Sequence, residues 1–362
     1  MSSLRERNKR LLAINFGGIG DEVLFFPTLQ SIRAADPSWR ITLLLEPRSK
    51  SSVEVTDLVD DVITFDIKKR PLFVGDLAEL AGLLQDGGYE AVVSSGSSPL
   101  VSILLFLSGA KIRVGYDSGP LSRKLLSCAI PLKRNQYAAM MYHDLALGLA
   151  PEAQFALPSV SLNKESLERM QAFVDEFATV FGGRRQRVVL LHPGTSRLAI
   201  EKGIFKTWAA ENWAGLIGRL SKDESVCAVL AGGPDDHETL AEIAAKAPEG
   251  SRLTNAYGKT KSLADLASLI SLSDLLVCVD SAPMHIGVGL AKPIVALFGP
   301  TDPAKLLPQD RRFIALSPPV GAPDETGNPR SGVAIPLDAV YRSVRDQLRS
   351  MSSQETLQES AR

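Results

Sequence analysis

The chain is poor in the residues that mark disulfide-stabilised, metal-binding or membrane-spanning proteins. Its 362 residues include three cysteines, without CxxC spacing, and four histidines. Cys227 and Cys278 stand inside apolar segments, so we interpret them as buried thiols of a protein in a reducing compartment. The most apolar helix candidate, LVSILLFLSGA from Leu100, is too short to cross a bilayer. No spacing of His, Cys and Asp residues predicts a metal site.

The chain also lacks an excess of charge of either sign. It has 40 basic and 41 acidic residues, for a net charge of -1. Such a balance produces no overall field that would favour nucleic acid, so we expect no nucleic-acid partner. A hydrophobic content of 45% is typical of a globular protein with a packed core. The length favours two domains.

Continuous apolar segments alternate with helix-like segments along most of the chain. Examples are LLAINF, ITLLLE and AVVSSG in the first half, and RVVLLHPG, VCAVLAGG and LLVCVD in the second. Parallel strands covered on both faces have this unbroken apolar character. Their alternation with helices predicts right-handed βαβ units. We therefore predict an α/β fold with two Rossmann-like domains.

A break in this alternation divides the chain. The proline-bearing segment APEAQFALPSV, from Ala150, is followed by a long amphipathic segment and by GGRRQR. We predict an N-terminal domain over 1–165, a hinge or linker helix over 166–186 and a C-terminal domain over 187–335. A last helix over 336–350 and a disordered polar tail over 351–362 follow.

A glycine-rich turn follows the first predicted strand, in NFGGIGDEVLFFPTLQ. Gly17, Gly18 and Gly20 allow a close approach of backbone to a ligand, or positive φ. Val23 stands where the dinucleotide-binding motif requires a third glycine, which disfavours a nicotinamide or flavin site. Asp21 falls in the first turn of the next helix, where a carboxylate caps free amides. The same amides favour the ionised carboxylate that a general base needs, so both interpretations stand.

A second polar loop follows the strand that ends at His192, in HPGTSRLAIEKGIFKTWAAENW. Its hydroxyls, its lysines and the helix predicted near Trp208 suit an anionic group such as a diphosphate. No G-K-[ST] closes the loop, so it is not a Walker motif. A solvated loop is the alternative interpretation. The candidate ligand residues of this loop are Gly194, Thr195, Ser196, Lys202 and Lys206.

A third group lies in LLVCVDSAPMHIGVGLAKPIVALFGPTDP. The predicted strand 275–280 ends in Asp280 and Ser281, and Pro283 suits the first position of a short helix. His285 would lie on the first turn of that helix. Open α/β sheets bind ligands at the carboxyl ends of their strands, which favours a site here, although a histidine on an apolar helix is also typical of packing.

In this order, the three segments resemble those of glycosyltransferase family 9, the ADP-heptose:lipopolysaccharide heptosyltransferases and their relatives. The resemblance spans residues 10–310, and its most specific part is DSAPMH, which is similar to the family's D-S-G-P-M-H. It implies a GT-B fold, in which two facing Rossmann-like domains flank an interdomain cleft. The acceptor would bind the N-terminal domain, and the nucleotide-sugar the C-terminal domain.

The resemblance also implies an inverting transfer that needs neither a bound metal nor another cofactor, with a nucleotide-sugar, an ADP-sugar, as the co-substrate. Asp21 would deprotonate the acceptor hydroxyl, and the loop with Gly17, Gly18 and Gly20 would form the acceptor side. The donor would be bound by Gly194, Thr195, Ser196, Lys202, Lys206, Asp280, Ser281, Ala282 and His285. Ala282 replaces the family's usual glycine, and the loop between residues 195 and 206 is longer than is common. Both differences leave the donor's sugar and base open.

The implied acceptor is an anionic or lipid-linked saccharide of lipopolysaccharide or polysaccharide biosynthesis. The protein would be cytoplasmic, with peripheral contact at the cytoplasmic face of the inner membrane left open. Basic residues of the first domain could bind such an acceptor, or could simply be solvated: they lie in DIKKRP (66–71) and at Arg113, Arg123, Lys124, Lys133 and Arg134. Two other functions stay open, a nucleotide-sugar epimerase or hydrolase on the same fold and a catalytically silent nucleotide-sugar-binding module.

Overall fold

A computed structural model describes residues 9–69, 71, 73–181, 184–196, 201, 204, 206–318 and 333–360. The chain divides into two compact units, with the boundary between Ser161 and Leu162. Each unit contains a six-stranded parallel sheet within the described ranges.

The first unit is a parallel sheet with the strand order β3-β2-β1-β4-β5-β6. Its strands are β1 (Lys9–Asn15), β2 (Trp39–Leu45), β3 (Asp61–Thr64), β4 (Ala91–Ser94), β5 (Ile112–Tyr116) and β6 (Cys128–Ile130). Its helices are α1 (Ile19–Ala35), α2 (Val74–Asp86), α3 (Pro99–Leu107), α4 (Pro120–Leu125) and α5 (Ala138–His143), with 3-10 helices at Pro47–Val55 and Asp144–Gly148.

Successive residues of β1 point to opposite faces of this sheet, as a strand requires. Leu11 belongs to a core cluster with Phe25 of α1, whereas Leu12 belongs to another cluster with Leu80 of α2 and Leu105 of α3. Both faces are therefore covered, which explains why residues 11–14 of the strand are apolar without interruption.

The second unit repeats this arrangement with the order β11-β10-β9-β12-β13-β14. Its strands are β9 (Arg187–His192), β10 (Val226–Leu230), β11 (Leu253–Asn255), β12 (Leu275–Val279), β13 (Ile294–Leu297) and β14 (Phe313–Leu316), after a small antiparallel pair, β7 (Val180–Phe181) and β8 (Arg184–Arg185). Its helices are α6 (Lys164–Asp175), α7 (Ala210–Leu220), α8 (His237–Lys246), α9 (Leu263–Leu272), α10 (Ala282–Gly289), α11 (Pro303–Leu306) and α12 (Leu337–Ser360), with a 3-10 helix at Pro234–Asp236.

The predicted α/β class with two doubly wound parallel sheets is confirmed. In each unit the order reverses next to the first long strand, between β1 and β4 and between β9 and β12. Open sheets of this type bind ligands outside the carboxyl ends of the strands at such a switch point. Cys227 and Cys278 are buried thiols, as predicted.

The helix predicted over 166–186 is shorter, because α6 ends at Asp175 and the β7–β8 pair follows. It packs against α9, and Arg169 bonds the buried Asp265 at 2.5 Å. The amphipathic face that suggested a linker thus belongs to the packed second unit.

One further prediction about a helix is corrected. The tail over 351–362 was expected to be disordered, but α12 continues to Ser360. No glycine or proline interrupts residues 351–360, and glutamine, glutamate and leucine favour helix. Helix α1 also runs through Pro27 without a break, although proline inside a helix usually interrupts it. None of the described helices combines the length and the apolar character that a membrane span needs.

Candidate functional site

Asp21 lies at the junction of β1 and α1, on the carboxyl side of the first sheet. Its Oδ2 accepts a hydrogen bond from the backbone N–H of Gly18 at 2.8 Å, so the helix-capping role is confirmed. A Cβ atom at Gly17 would lie 2.2 Å from the Cβ of Asp21, which requires glycine at that position. Gly20 lies in the first turn of α1. The turn and the carboxylate are therefore packed as one unit.

The second oxygen of Asp21 points to an aromatic hydroxyl. The Oη of Tyr142, from α5, lies 3.5 Å from Oδ1 of Asp21. Burial, followed by the charge of Asp21, raises the pKa of Tyr142, which keeps the phenol protonated and able to donate. Sequence reasoning missed Tyr142, because nothing in the sequence links it to a residue 121 positions away.

Glu22 follows Asp21 and is completely buried. Burial raises the pKa of its carboxyl group well above the usual range, because an apolar environment disfavours the charged form. Neither of its oxygens makes a hydrogen bond of good geometry within the described residues. Two neighbouring carboxyl groups of α1 thus have opposite surroundings, one half-exposed and hydrogen-bonded, the other buried.

A second carboxylate in the first unit binds two cations. Glu46, buried at the end of β2, lies 2.9 Å from Nε of Arg48 and 3.2 Å from Nζ of Lys68. Lys68 also donates to the backbone carbonyl of Phe16 at 3.2 Å. Part of the DIKKRP segment is therefore fixed beside the β1–α1 turn, whereas Arg70 lies outside the described residues.

In the second unit, Asp280 is the centre of a charged cluster. Its Oδ2 accepts hydrogen bonds from Nζ of Lys206 at 2.5 Å and from Oγ1 of Thr301 at 2.7 Å. Asp280 is only 3% exposed. The fold thus unites the polar loop after β9 with the ends of β12 and β13. Thr301 lies in the third polar segment of the sequence, in GPTDP, but was not among the predicted site residues.

The backbone around Lys206 is held by a segment from the end of the second unit. The N–H of Val333 donates to the carbonyl of Thr207 at 2.7 Å, and Nε1 of Trp208 donates to the carbonyl of Ile335 at 2.9 Å. Trp208 is buried. These bonds fix the residues that follow Lys206, and thereby the origin of its side chain.

The loop after β9 packs against another carboxyl group. A Cβ atom at Gly194 would lie 2.2 Å from the carboxylate carbon of Asp236. Asp236 accepts from the N–H of Gly233 at 2.8 Å, and burial raises the pKa of its carboxyl group. Sequence reasoning missed Asp236, although the segment AGGPDD after β10 carries the signal, two glycines before an acidic pair. The loop continues with a buried Thr195 and an exposed Ser196, and Lys202 lies outside the described residues.

Helix α10 begins at Ala282, directly after the Asp280 cluster. Ser281 is its N-cap, and the hydroxyl of Ser281 contacts the carbonyl of Val279 at 3.4 Å instead of capping an amide. Ala282 is half-buried. His285 is 5% exposed, so its side chain is almost completely enclosed by the protein.

His192, at the end of β9, is equally buried, and burial lowers its pKa to about 4. The imidazole is therefore neutral near pH 7.

These groups lie at the carboxyl ends of four neighbouring strands: residues 194–196 after β9, Asp236 after β10, residues 280–282 after β12 and Thr301 after β13. Together they offer an ammonium group, hydroxyls and the amides of a helix N-terminus, which suit a phosphate or diphosphate. Buried carboxyl groups beside them suit hydroxyl groups of a sugar. The arrangement can bind an anionic sugar derivative at the switch point of the sheet.

Comparison with known proteins agrees with this assignment. The sequence profile of glycosyltransferase family 9 (heptosyltransferase) matches residues 78–326, more than half of the chain. A similar curated relative is the lipopolysaccharide heptosyltransferase 3 of Escherichia coli, 25% identical over 291 residues that cover 78% of this chain and 81% of the relative.

Two solved structures share the fold. A glycosyltransferase family 9 protein from Veillonella parvula superposes with a TM-score of 0.76 at 23% identity, over 94% of this chain and 97% of that one. An E. coli heptosyltransferase solved with ADP-2-deoxy-2-fluoro heptose superposes with a TM-score of 0.66 at 21% identity, over 93% of this chain and 99% of that one.

Proposed function

Because the chain belongs to glycosyltransferase family 9, we propose that it transfers a heptose or a related sugar from an ADP-sugar to a lipopolysaccharide or another lipid-linked saccharide. The observation that carries this proposal is the cluster of Lys206, Asp280 and Thr301 at the carboxyl edge of the second sheet. The heptosyltransferase from E. coli that was solved with an ADP-heptose analogue supports the choice of donor. The lipopolysaccharide heptosyltransferase relative supports the sugar and the acceptor.

The donor binds the second unit in this proposal. Thr195, Ser196 and Lys206 hold the diphosphate, together with Lys202, Gly194 and the first amides of α10. Asp280 and Thr301 orient Lys206, since a lysine bonded to a buried carboxylate keeps its ammonium in one place. Ser281, Ala282 and His285 form the wall on the sugar side.

The acceptor binds the first unit, beside the turn with Gly17, Gly18 and Gly20. A carboxylate oxygen of Asp21 takes the proton of the acceptor hydroxyl as that oxygen attacks the anomeric carbon. Tyr142, protonated and close to Oδ1 of Asp21, orients the carboxylate. Attack from the face opposite the leaving group inverts the anomeric carbon.

The bond between the anomeric carbon and the diphosphate oxygen breaks in the same step, and its electrons leave with ADP. Negative charge therefore grows on the diphosphate in the transition state. Lys206, the loop hydroxyls and the amides at the start of α10 stabilise that charge electrostatically. In this proposal the step needs no metal ion or further cofactor, because the lysine and the helix amides neutralise the leaving group.

Substitution of Asp21 tests the proposal directly. Asp21→Asn keeps the shape of the turn but removes the base, and should lower kcat about 10²–10⁴-fold with an unchanged calorimetric Kd for ADP-heptose. Asp57→Asn is the matched control, because Asp57 is an exposed carboxylate of the same unit. Full transfer by Asp21→Asn would refute the assignment of the base.

Consumption of the donor without acceptor decides between the proposed reaction and its alternatives. A transferase releases ADP at its full rate only when acceptor is present. Equal consumption with and without acceptor indicates an epimerase or hydrolase instead. Tight donor binding without turnover across a panel of acceptors indicates a silent binding module. A lipid-linked acceptor would place the reaction at the cytoplasmic face of the inner membrane.

A further inference from the structure

The exposed apolar side chains of this protein are concentrated in one part of the first unit. Among the described residues, twelve large hydrophobic side chains are exposed, and nine of them lie between Phe73 and Leu121. Single exposed hydrophobic residues are normal on a protein surface, but a contiguous group marks a surface that contacts something else.

Helices α2 and α3 carry most of this group. At the start of α2, Phe73 is 61% exposed and Val74 is 84% exposed. On α3, the exposed positions Leu100, Ile103 and Phe106 recur every three residues, which places them along one face of the helix. The opposite face of each helix is buried in the core.

The two helices are neighbours, and α4 extends the same surface. Helix α2 packs against α3, and α3 packs against α4; Nε2 of Gln85 in α2 bonds the carbonyl of Leu107 in α3 at 2.9 Å. Leu121 of α4 and Ile112 of the adjacent β5 are exposed as well. We call this surface the α2–α4 face.

The chain around the α2–α4 face is basic. Residues 68–134 contain nine basic and five acidic side chains, a net charge of +4 in a chain whose total is -1. Lys111 and Lys124 are exposed beside Ile112 and Leu121.

Two cations of this segment, Lys68 and Lys133, are paired with Glu46 and Asp144 outside it, which lowers the net charge of the segment with its partners to +2. Two of the five acids are paired within the segment. Asp76 bonds Lys69 at 3.0 Å, and Asp117 bonds Arg123 at 2.7 Å. Glu79, Asp86 and Glu90 are the remaining acids, and all three are exposed. Like charge would oppose a contact between two copies of this face, whereas an anionic partner would be attracted.

We propose that the α2–α4 face docks on an anionic lipid bilayer. Exposed leucine, valine and phenylalanine side chains enter the boundary between headgroups and acyl chains, while the surrounding lysines bind the headgroup phosphates. The inference rests on the proposed function, because docking would hold the enzyme at the surface where a lipid-linked acceptor is found. Its test needs neither donor nor acceptor, so each of the two can fail without the other.

Sedimentation with vesicles tests the docking. The full-length protein should sediment with vesicles of phosphatidylglycerol and phosphatidylethanolamine, much less with phosphatidylcholine, and less as salt is raised. The double variant Val74→Ser/Leu100→Ser should weaken binding roughly tenfold or more, because both side chains lose their apolar burial in lipid. Lys111→Gln/Lys124→Gln should have an effect of about the same size.

Tyr257→Ser is the control, since Tyr257 is an exposed apolar residue of the second unit; it should bind vesicles as the unmodified protein does. All variants should keep their melting temperature. The proposal is refuted if the unmodified protein does not sediment with anionic vesicles, or if the α2–α4 variants bind these vesicles as well as the control does. A change from dimer to monomer in these variants, with unaltered vesicle binding, would assign the face to a second copy instead.

Discussion

Lys206 and Asp280 are 74 positions apart in the chain, yet Nζ of the lysine lies 2.5 Å from a carboxylate oxygen of the aspartate. The ion pair is largely buried, with side-chain exposures of 17% and 3%. An ammonium group in such surroundings is held in place before any ligand arrives. It also balances the negative charge of the buried Asp280 carboxylate.

Replacing Lys206 should therefore affect both ligand binding and stability. Lys206→Met removes the ammonium and leaves Asp280 buried with Thr301 alone, so we expect ADP to bind about 10- to 100-fold more weakly, as for loss of a charged hydrogen bond of about 1.5–3 kcal/mol. The melting temperature should fall too. Calorimetry with ADP and thermal unfolding measure the two effects.

The double variant Lys206→Met/Asp280→Asn is the control that separates the effect on ADP binding from the effect on stability. It should recover part of the lost stability, because the unpaired charge is gone, without regaining ADP affinity. Unchanged ADP binding in Lys206→Met would exclude this lysine from the donor site.

Thr301 gives a graded test of the same cluster. Thr301→Val keeps the shape of the side chain but removes the hydroxyl that donates to Asp280. The loss of one hydrogen bond of about 1 kcal/mol should raise the KM for the donor several-fold while kcat changes little. Thr254→Val, in β11, serves as a control for a threonine-to-valine change elsewhere in the second unit. Equal kinetics for the two variants would show that Thr301 does not act through the cluster.

The glycines of the first turn differ in the space they leave for a side chain. In Gly17→Ala the new methyl group would meet Cβ of Asp21 at 2.2 Å, whereas in Gly18→Ala the nearest atoms are 3.7 and 3.9 Å away. We expect Gly17→Ala to displace Asp21 and lower kcat at least about 100-fold, since small misplacement of a catalytic group is costly. Gly18→Ala should stay within a few-fold of the unmodified enzyme. Similar kcat values for both variants would contradict the close packing of this turn.

Two glycines of the second unit, Gly194 and Gly233, also differ in the space they leave for a side chain. An alanine methyl at Gly194 would lie 2.2 Å from the carboxylate carbon of Asp236, but one at Gly233 would lie 3.7 Å from the nearest oxygen. Gly194→Ala should weaken binding of ADP, measured by calorimetry, because Asp236 and the loop after β9 must move apart. Gly233→Ala should leave the binding of ADP unchanged. If both variants bind ADP normally, the loop is not part of the donor site.

Glu22 should make the stability of the protein depend on pH in a defined direction. Burial raises the pKa of Glu22 well above its usual value, so between the two values the folded state holds a proton that the unfolded state has released. Stability then falls as pH rises above about 4.5. Glu22→Gln removes this loss and should be more stable than the unmodified protein near pH 7, with a smaller difference below pH 4.5.

Thermal unfolding across this pH range measures the effect. Glu79→Gln, at an exposed position of α2, should show no such pH-dependent difference. A Glu22→Gln curve parallel to that of the unmodified protein would mean that Glu22 is charged in the folded state.

Sequence patterns predicted the sheets well, because parallel strands buried on both faces contain continuous apolar segments, as residues 11–14 of β1 and the whole of β12 do. They also placed Asp280 and Lys206 in the same kind of site, since both follow strands and stand beside glycines or hydroxyls. Sequence could not show that the two are bonded, nor that Tyr142 reaches Asp21. Such contacts depend on how distant segments pack, and single side chains leave no periodic signal. The family profile begins at residue 78, so its match does not include Asp21.

The bonds from residues 333–335 to Thr207 and Trp208 have a consequence for biosynthesis. A chain emerging from the ribosome can complete its first sheet, and with it the Asp21 turn, while the second unit is still being made. The backbone beside Lys206 stays without these two hydrogen bonds until residue 335 has been added, after every strand of the second sheet. Asp21, the proposed base, is therefore placed early, and Lys206, the proposed cation beside the leaving group, is fixed late.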